Sequence, residues 1–393
     1  MSASLVGSEM CIRDRTNIEL VRFFKYQVFN DVIAETCIFL LNKEYDDKQL
    51  IKVSICEGIN KIDNQYFIKQ KLWQDNFEIG FNVFYQENLL NLVHKIFNKK
   101  TPLKKLGDIT IGIKPYQTNK GCPKQTIADV QNRIYDSESK CDDTYLEYII
   151  GSDFNRYKFN IQKTKYIKYG NWLAEPRTSL DFSKDKIIIR QTSDRIRATI
   201  DNQGYLSLNN VHNLILHNNC TSQLYYILAL LNSKLFDFLY HYLTPEVGRA
   251  FAEVKTINLE RLPIVDCPSK KEKLFIDNVN FMLQKNKELQ DKSNHFLNLL
   301  KAEYEISELS NKLLCWYELD WKHFTNELKK QKVVLSGSQK DDWFDRFNRV
   351  SSEIKEIQTT ITETDKQIDS LVYKLYNLTD EEIKIIELSL IHI

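Results

Sequence analysis

The chain has 393 residues, 42% apolar and 27% charged, the ordinary composition of a globular protein of two or three domains. Its 54 Lys and Arg stand against 53 Asp and Glu, so the formal net charge of +1 excludes no partner and only local charge informs. The eight cysteines show no zinc-site or redox-pair spacing, which suits a reducing cytoplasm, and there is neither a membrane-length apolar run nor a secretory signal.

Residues 1–15, MSASLVGSEMCIRDR, carry no helical or strand period. They resemble a translated sequencing adaptor, and residues 388–393 resemble the same adaptor from the other side. Both segments are therefore expected to be non-native tails. The alternatives are an ordinary disordered N-terminus and a frayed final helix.

Residues 16–100 open on a helical apolar pattern at Leu20, Phe23 and Phe24, followed by Val28-Phe29-Asn30-Asp31. The runs Cys37–Leu41 and Ile51–Ile55, joined by a polar link, predict adjacent strands. Trp73, Phe77, Ile79, Phe81 and Phe84 add apolar bulk. The stretch is too short for a complete α/β nucleotide-binding domain and reads as the end of one.

Residues 101–266 change character. Short β-type runs at Ile109–Ile111, Tyr148–Ile150 and Ile187–Ile189 alternate with turn residues. Leu224, Ile227, Leu228, Leu231, Leu235, Phe238 and Leu239 predict one inserted helix over residues 223–242, ended by Pro245. Residues 267–387 are helical and highly charged. Ile354, Ile357, Ile361, Ile368, Leu371 and Leu375 form a heptad seam, and Thr379 with Glu382 forms a capping box. A helical bundle is expected there rather than a long exposed coiled coil. The fold class is α+β.

Catalytic motifs are missing from the sequence. GxGxxG, the P-loop and HExxH do not occur, and no two histidines stand four apart. The acidic doublets Asp142-Asp143 and Glu381-Glu382 read as solvated or capping. Binding chemistry is better represented. Residues 151–200 hold eleven Lys and Arg against five Asp and Glu, interleaved with seven aromatics from Phe154 to Phe182. That mixture suits a nucleic-acid surface, where cations neutralise phosphates and Arg or Gln reads base edges. An ordinary core with solvated basic faces gives the same composition. Tyr148, Tyr225 and Tyr226 are expected in the core rather than as stacking platforms.

Several motifs fall in a telling order. Leu106-Gly107-Asp108-Ile109 precedes Gly112-Ile113. Tyr148 to Tyr157, Tyr166-Ile167-Lys168-Tyr169 and Arg177 follow. Next come Lys186 to Thr192 with Ala198-Thr199-Ile200-Asp201, the helix Tyr225 to Leu235, Gly248 to Phe251, Leu262-Pro263-Ile264 and the closing segment Ile368 to Thr379. Together they resemble the C-terminal part of Taq-type, type IIG-like restriction–modification adenine methyltransferases. Val28 to Asp31 with Thr36 to Phe39 is similar to the late strands of that family's catalytic domain.

The resemblance implies the tail of an α/β methyltransferase sheet in residues 16–100, a β-rich target-recognition domain with an inserted helix in residues 101–266, and a helical region in residues 267–387. It implies double-stranded DNA as partner, an adenine-N6 methyl transfer from S-adenosylmethionine in the parent enzyme, and a missing N-terminal catalytic domain. The family's Asn/Asp-Pro-Pro-aromatic motif and glycine loop are absent here, so the chain itself is expected to hold no cofactor and transfer no methyl group. Lys114, Arg156, Lys168, Arg177, Arg190, Gln191, Arg195, Arg197 and Arg249 are the candidate DNA contacts. The specificity subunit of a multisubunit type I system also joins recognition domains to long helices. It normally carries two such domains, whereas one is found here, preceded by apparent methyltransferase strands.

Overall fold

The computed structural model describes residues 16–29, 36–44, 46, 48–58, 61–75, 83, 87–161, 163–217, 221–244, 253–306 and 308–391. Strands β1 (Asn17–Phe24), β2 (Thr36–Asn42), β3 (Leu50–Gly58) and β4 (Lys61–Lys69) form one sheet in the order β2-β1-β3-β4. Cys37–Leu41 is a strand, as expected, but two expectations fail. Leu20, Phe23 and Phe24 lie in a strand, not a helix. A bulge between Ile18 and Leu20 interrupts the alternation, so Ile18 and Val21, three apart, are both fully buried. That spacing imitates a helix. β2 and β3 are not neighbours either, because β1 lies between them, antiparallel to β2 and parallel to β3. Helices α1 (Gln70–Asp75) and α2 (Glu87–Phe97) follow, with Trp73, Leu90, Val93 and Ile96 buried. Phe77, Ile79, Phe81 and Phe84 lie outside the described residues.

The central region begins at the short strand β5 (Thr101–Pro102) and carries two further four-stranded sheets. One is β13-β12-β15-β6, formed by β6 (Gly107–Ile111), β12 (Lys186–Arg190), β13 (Ala198–Asp201) and β15 (Val211–Leu216), antiparallel throughout. The other is β14-β8-β11-β7, from β7 (Asp136–Ser137), β8 (Tyr145–Ile149), β11 (Tyr166–Lys168) and β14 (Leu206–Ser207). Between β8 and β11, β9 (Phe154–Asn155) and β10 (Lys158–Phe159) make a small antiparallel pair. The run Ile187–Ile189 is buried on both faces: Ile187 and Ile189 join the main core, and Ile188 packs with Ile149, Phe154 and Val211. Gly112 sits where the first sheet crosses the second. An added Cβ there would stand 2.2 Å from the Ser207 carbonyl oxygen, so only glycine fits. The next residue is stitched to β14, with Ile113 N donating to Ser207 O at 2.8 Å.

The inserted helix is two helices, α4 (Thr221–Leu231) and α5 (Lys234–Leu243), with the short α3 (Ile127–Asn132) preceding them in the chain. Apolar periodicity runs through the break and conceals it. Ser233 ends the first helix and caps the second, its Oγ accepting from Phe236 N at 3.4 Å. Asn232 turns aside to β13: Ala198 N donates to its Oδ1 at 3.1 Å, and its Nδ2 donates to Ala198 O at 3.0 Å. Tyr148 and Tyr226 are buried and Tyr225 packs against the core, as expected. Pro245 and Gly248 to Phe251 lie outside the described residues.

Residues from 256 on are helical apart from short connections, one of which, β16 (Pro263–Ile264), pairs antiparallel with β5. After α6 (Thr256–Glu260) come α7 (Ser269–Tyr304), α8 (Asn311–Leu314), α9 (Trp321–Lys330), α10 (Ser338–Leu375) and α11 (Asp380–Ile391). The long helices α7 and α10 pack together, and Ile354, Ile357 and Ile368 of the seam are buried. Phe275, Val279 and Met282 share the main core with Ile368, Val372, Tyr373 and Tyr376. A second core of Phe296, Trp316, Phe324, Trp343 and Phe347 forms farther along the pair. The arrangement is a bundle rather than an exposed coiled coil. The capping box is present: Thr379 N donates to Glu382 Oε2 at 2.7 Å, and Glu382 N to Thr379 Oγ1 at 3.3 Å. α11 runs to Ile391, beyond the boundary expected at residue 387.

Candidate nucleic-acid interface

The hairpin β12–β13 gathers four of the nine expected contacts. Arg190 N donates to Arg197 O at 3.0 Å, so both side chains leave the base of one short loop, with Gln191 and Arg195 inside it. Arg190 is largely engaged, its Nε donating to Gly151 O at 2.5 Å and Nη2 to Phe154 O at 3.2 Å. Burial, then the nearby Arg197 charge, pulls its pKa down. Arg195 and Arg197 are the accessible cations. Asp194 lies between them, 3.5 Å from Arg195 Nε and 3.3 Å from Arg197 Nη2. Gln191 Nε2 donates to Glu253. Opposite charges this exposed contribute little to stability. Asp194 places both guanidinium groups on the same side of the loop.

The frame under the loop is buried and hydrogen-bonded. Asp237 of α5 is buried and accepts from Ile196 N at 3.2 Å. Burial pushes its carboxyl up to about 7, against the opposing pull of Arg156 and Arg195. One turn on, His241 is buried and its pKa is pulled down by that burial. At the far end of the hairpin, Lys186 and Asp201 form a fully buried ion pair at 2.6 Å. Lys186 Nζ also donates to Phe182 O at 2.7 Å. Asp201 Oδ1 accepts from Gln203 N and Gly204 N at 2.9 and 3.1 Å. Burying both charges is tolerable because each is satisfied by further hydrogen bonds.

Four of the remaining expected contacts are placed elsewhere. Lys114 pairs through its backbone with Glu175 in both directions while its Nζ donates to Gln117 Oε1 at 2.7 Å, and Arg177 Nη2 lies 2.6 Å from Glu175 Oε2. Lys168 covers Trp172 at 5.3 Å, one end of a row that continues through Tyr135 and Tyr116 to Arg133. The Tyr116 and Tyr135 rings stack on each other and Trp172 leans on Tyr135, so the row braces the second sheet. Arg156 points inward. Nη2 donates to Asn232 O at 2.5 Å and to Asp365 of α10 at 2.7 Å. Burial opposes its charge most, but Asp365, Tyr157 and Asp237 together outweigh burial and raise its pKa. Arg249 lies outside the described residues. Sequence reasoning missed Glu253 and Asp237. Nothing local marks Glu253, whereas Asp237 follows the helix-capping Ser233 by four residues.

The family model described as TaqI-like C-terminal specificity domain matches residues 146–264, from β8 to β16. Residues 146–264 are thus similar to a TaqI-like specificity domain. All the expected contacts except Lys114 fall within this matched segment. Residues 268–372, most of α7 to α10, match a domain of unknown function, DUF8810. No curated protein matches the chain. Among solved structures, the type IIL restriction-modification enzyme MmeI in complex with DNA matches at 12% identity and a TM-score of 0.36, covering 91% of this chain and 46% of that one. The type IIG restriction endonuclease BpuSI matches at 12% identity and a TM-score of 0.35, covering 96% and 46%. The chain thus spans less than half the length of either structure. Among the described residues no helix is long and apolar enough to cross a membrane, and no group of three or more metal-ligating side chains converges.

Proposed function

We propose that this chain reads the sequence of double-stranded DNA for an adenine-N6 methyltransferase of a restriction–modification system, with the β12–β13 hairpin as reading element. The observation that carries this is the convergence of Gln191, Arg195 and Arg197, with Arg190 anchoring the base, on one braced loop of the segment similar to a TaqI-like specificity domain. Arginine pairs with phosphate or guanine and glutamine with adenine. Lys114 and Arg177 form a second basic group suited to backbone phosphates. Arg156 and Arg190 serve the frame more than the contact surface.

S-adenosylmethionine and a base-extruding catalytic domain belong to the same proposal for the parent enzyme. The described residues do not fit the cofactor. The described part of residues 16–100 holds one glycine, Gly58 in β3, and so offers no glycine loop to cradle it. What supports the catalytic-domain tail is β2, which leaves Ile38, Phe39, Leu40 and Leu41 exposed along consecutive positions. A strand apolar on both faces suits a sheet covered on both sides.

The test is binding of the purified chain to a mixed-sequence duplex over a range of salt. Affinity should fall linearly on a log–log plot, and Arg195→Ala or Arg197→Ala should flatten the slope by about one for each phosphate no longer neutralised. A slope near zero would contradict the proposal.

A further inference from the structure

The Gln191 amide is held in one orientation. Its Nε2 donates to Glu253 Oε1. An ionised carboxylate only accepts, so chemistry fixes which end of the amide faces it. The backbones keep the pair in register: Val254 N donates to Gln191 O at 2.7 Å, and Thr192 bridges Glu253 in antiparallel fashion. Glu253 is itself anchored. Tyr240 Oη donates to Glu253 O at 3.1 Å and accepts from Lys255 N at 2.8 Å. His212 Nε2 lies 2.7 Å from Val254 O, a contact that requires the ring to donate there, and its Nδ1 lies 3.2 Å from Thr256 Oγ1. The strip 253–256 is therefore fixed from α5 and β15, and the Glu253 carboxylate stands exposed beside the half-buried Gln191.

With one hydrogen given to Glu253, Gln191 keeps one N–H and the lone pairs of Oε1. A donor and an acceptor side by side match adenine in the major groove, where N7 accepts and the N6 amino group donates. Turning the amide over would set Oε1 against the carboxylate and reverse the order of donor and acceptor. We infer that Glu253 is a positioning residue, orienting the Gln191 amide to read one adenine in the recognised sequence. This rests on the hairpin being the reading element.

The experiment is selection of binding sites from a randomised duplex library by the purified full chain. Wild type, Gln191→Ala, Glu253→Gln and Glu253→Ala are compared, with thermal melting to verify folding. Glu253 is exposed and Glu253→Gln conserves its shape, so folding should survive. The wild type should select a site with an adenine at one position. Gln191→Ala should lose that preference by about 5- to 150-fold and spare the remaining positions. Both Glu253 variants should weaken discrimination at the same position and no other. An adenine preference that Gln191→Ala removes but both Glu253 variants retain would overturn the positioning role and leave the specificity reading intact. A loss at a different position, such as a cytosine read by Glu253 directly, would also overturn it. A wild-type chain that selects no sequence would sink both readings.

Discussion

Arg156 and Asp365 are 209 positions apart in the chain and meet at 2.7 Å. The pair joins the β-rich central region to the long helix α10, and the connection does not stop there. Asp369, one turn along α10, accepts from Lys234 N at 2.9 Å, at the first turn of α5. Between them, Asn232 binds β13 through both ends of its amide. The Asn232-Ser233-Lys234 stretch is thus a three-way junction among β13, the helix pair and α10.

Arg156→Ala should destabilise the chain by about 1–3 kcal/mol, because a charge-assisted hydrogen bond disappears and Asp365 is left without its partner. It should leave the salt dependence of DNA binding unchanged, which separates it from Arg195 and Arg197. Denaturant melts and a salt titration on the same variant check both halves. Asp365→Ala should cost a similar amount, and the double variant should cost less than the sum.

Replacing Asn232 by Ala should orphan Ala198 N at a buried site, at about 1–3 kcal/mol, while Ala198 O keeps Tyr157 N as a donor at 3.1 Å. Denaturant unfolding measures the loss. Hydrogen exchange should show β13 deprotected ahead of β6, since β13 is an edge strand that loses its cover while β6 lies at the opposite edge.

Asp237 gives the chain a pH dependence of definite sign. Its folded-state carboxyl titrates at about 7, above its ordinary value of 3.8, because of burial. The folded state therefore binds the proton more tightly than the unfolded state. The resulting stabilisation is complete below about pH 4 and is lost as the pH rises through about 7. Asp369, pushed up to about 6 by burial, acts in the same direction. Asp237→Asn retains an acceptor for Ile196 N and cannot ionise. Chemical denaturation at pH 5 and pH 8 should show the wild type losing more stability than the variant across that interval. Parallel profiles would show that Asp237 stays protonated throughout or is solvated.

The purified chain should transfer no labelled methyl from S-adenosylmethionine to mixed-sequence DNA above a heat-killed control. Half a catalytic site is not half as active, since orientation supplies much of the rate. Incorporation would reveal a catalytic site with no counterpart among the motifs of this sequence.

What was legible in the sequence was what is local. The Ile187–Ile189 run, the Thr379–Glu382 box and the Ile354–Ile368 seam each carry their signal within a few turns or strand repeats, and each appears where expected. The failures come from longer range or from interruptions. The Ile18–Leu20 bulge shifted the period of β1. The order β2-β1-β3 depends on pairings between separate segments, which no local pattern states. The α4–α5 break is invisible to apolar periodicity because both helices are buried nearly all round. For the candidate site, the density of basic residues was legible but not their partners. Arg156 reads as a surface cation until its carboxylate, on a helix two hundred residues later, is in view. Glu253 gives no hint of Gln191.

The most direct measurement is the ratio of the wild-type chain's affinities for a selected duplex and a scrambled duplex of equal length, at one physiological salt concentration. Specific readers of duplex DNA exceed their own non-specific binding by about 1,000-fold or more. The ratio should be of that order, reduced by substitution of Gln191 or Arg195 and unaffected by substitution of Arg156 in protein that remains folded. Equal affinities for the two duplexes, in a chain that is folded and binds DNA, would contradict it.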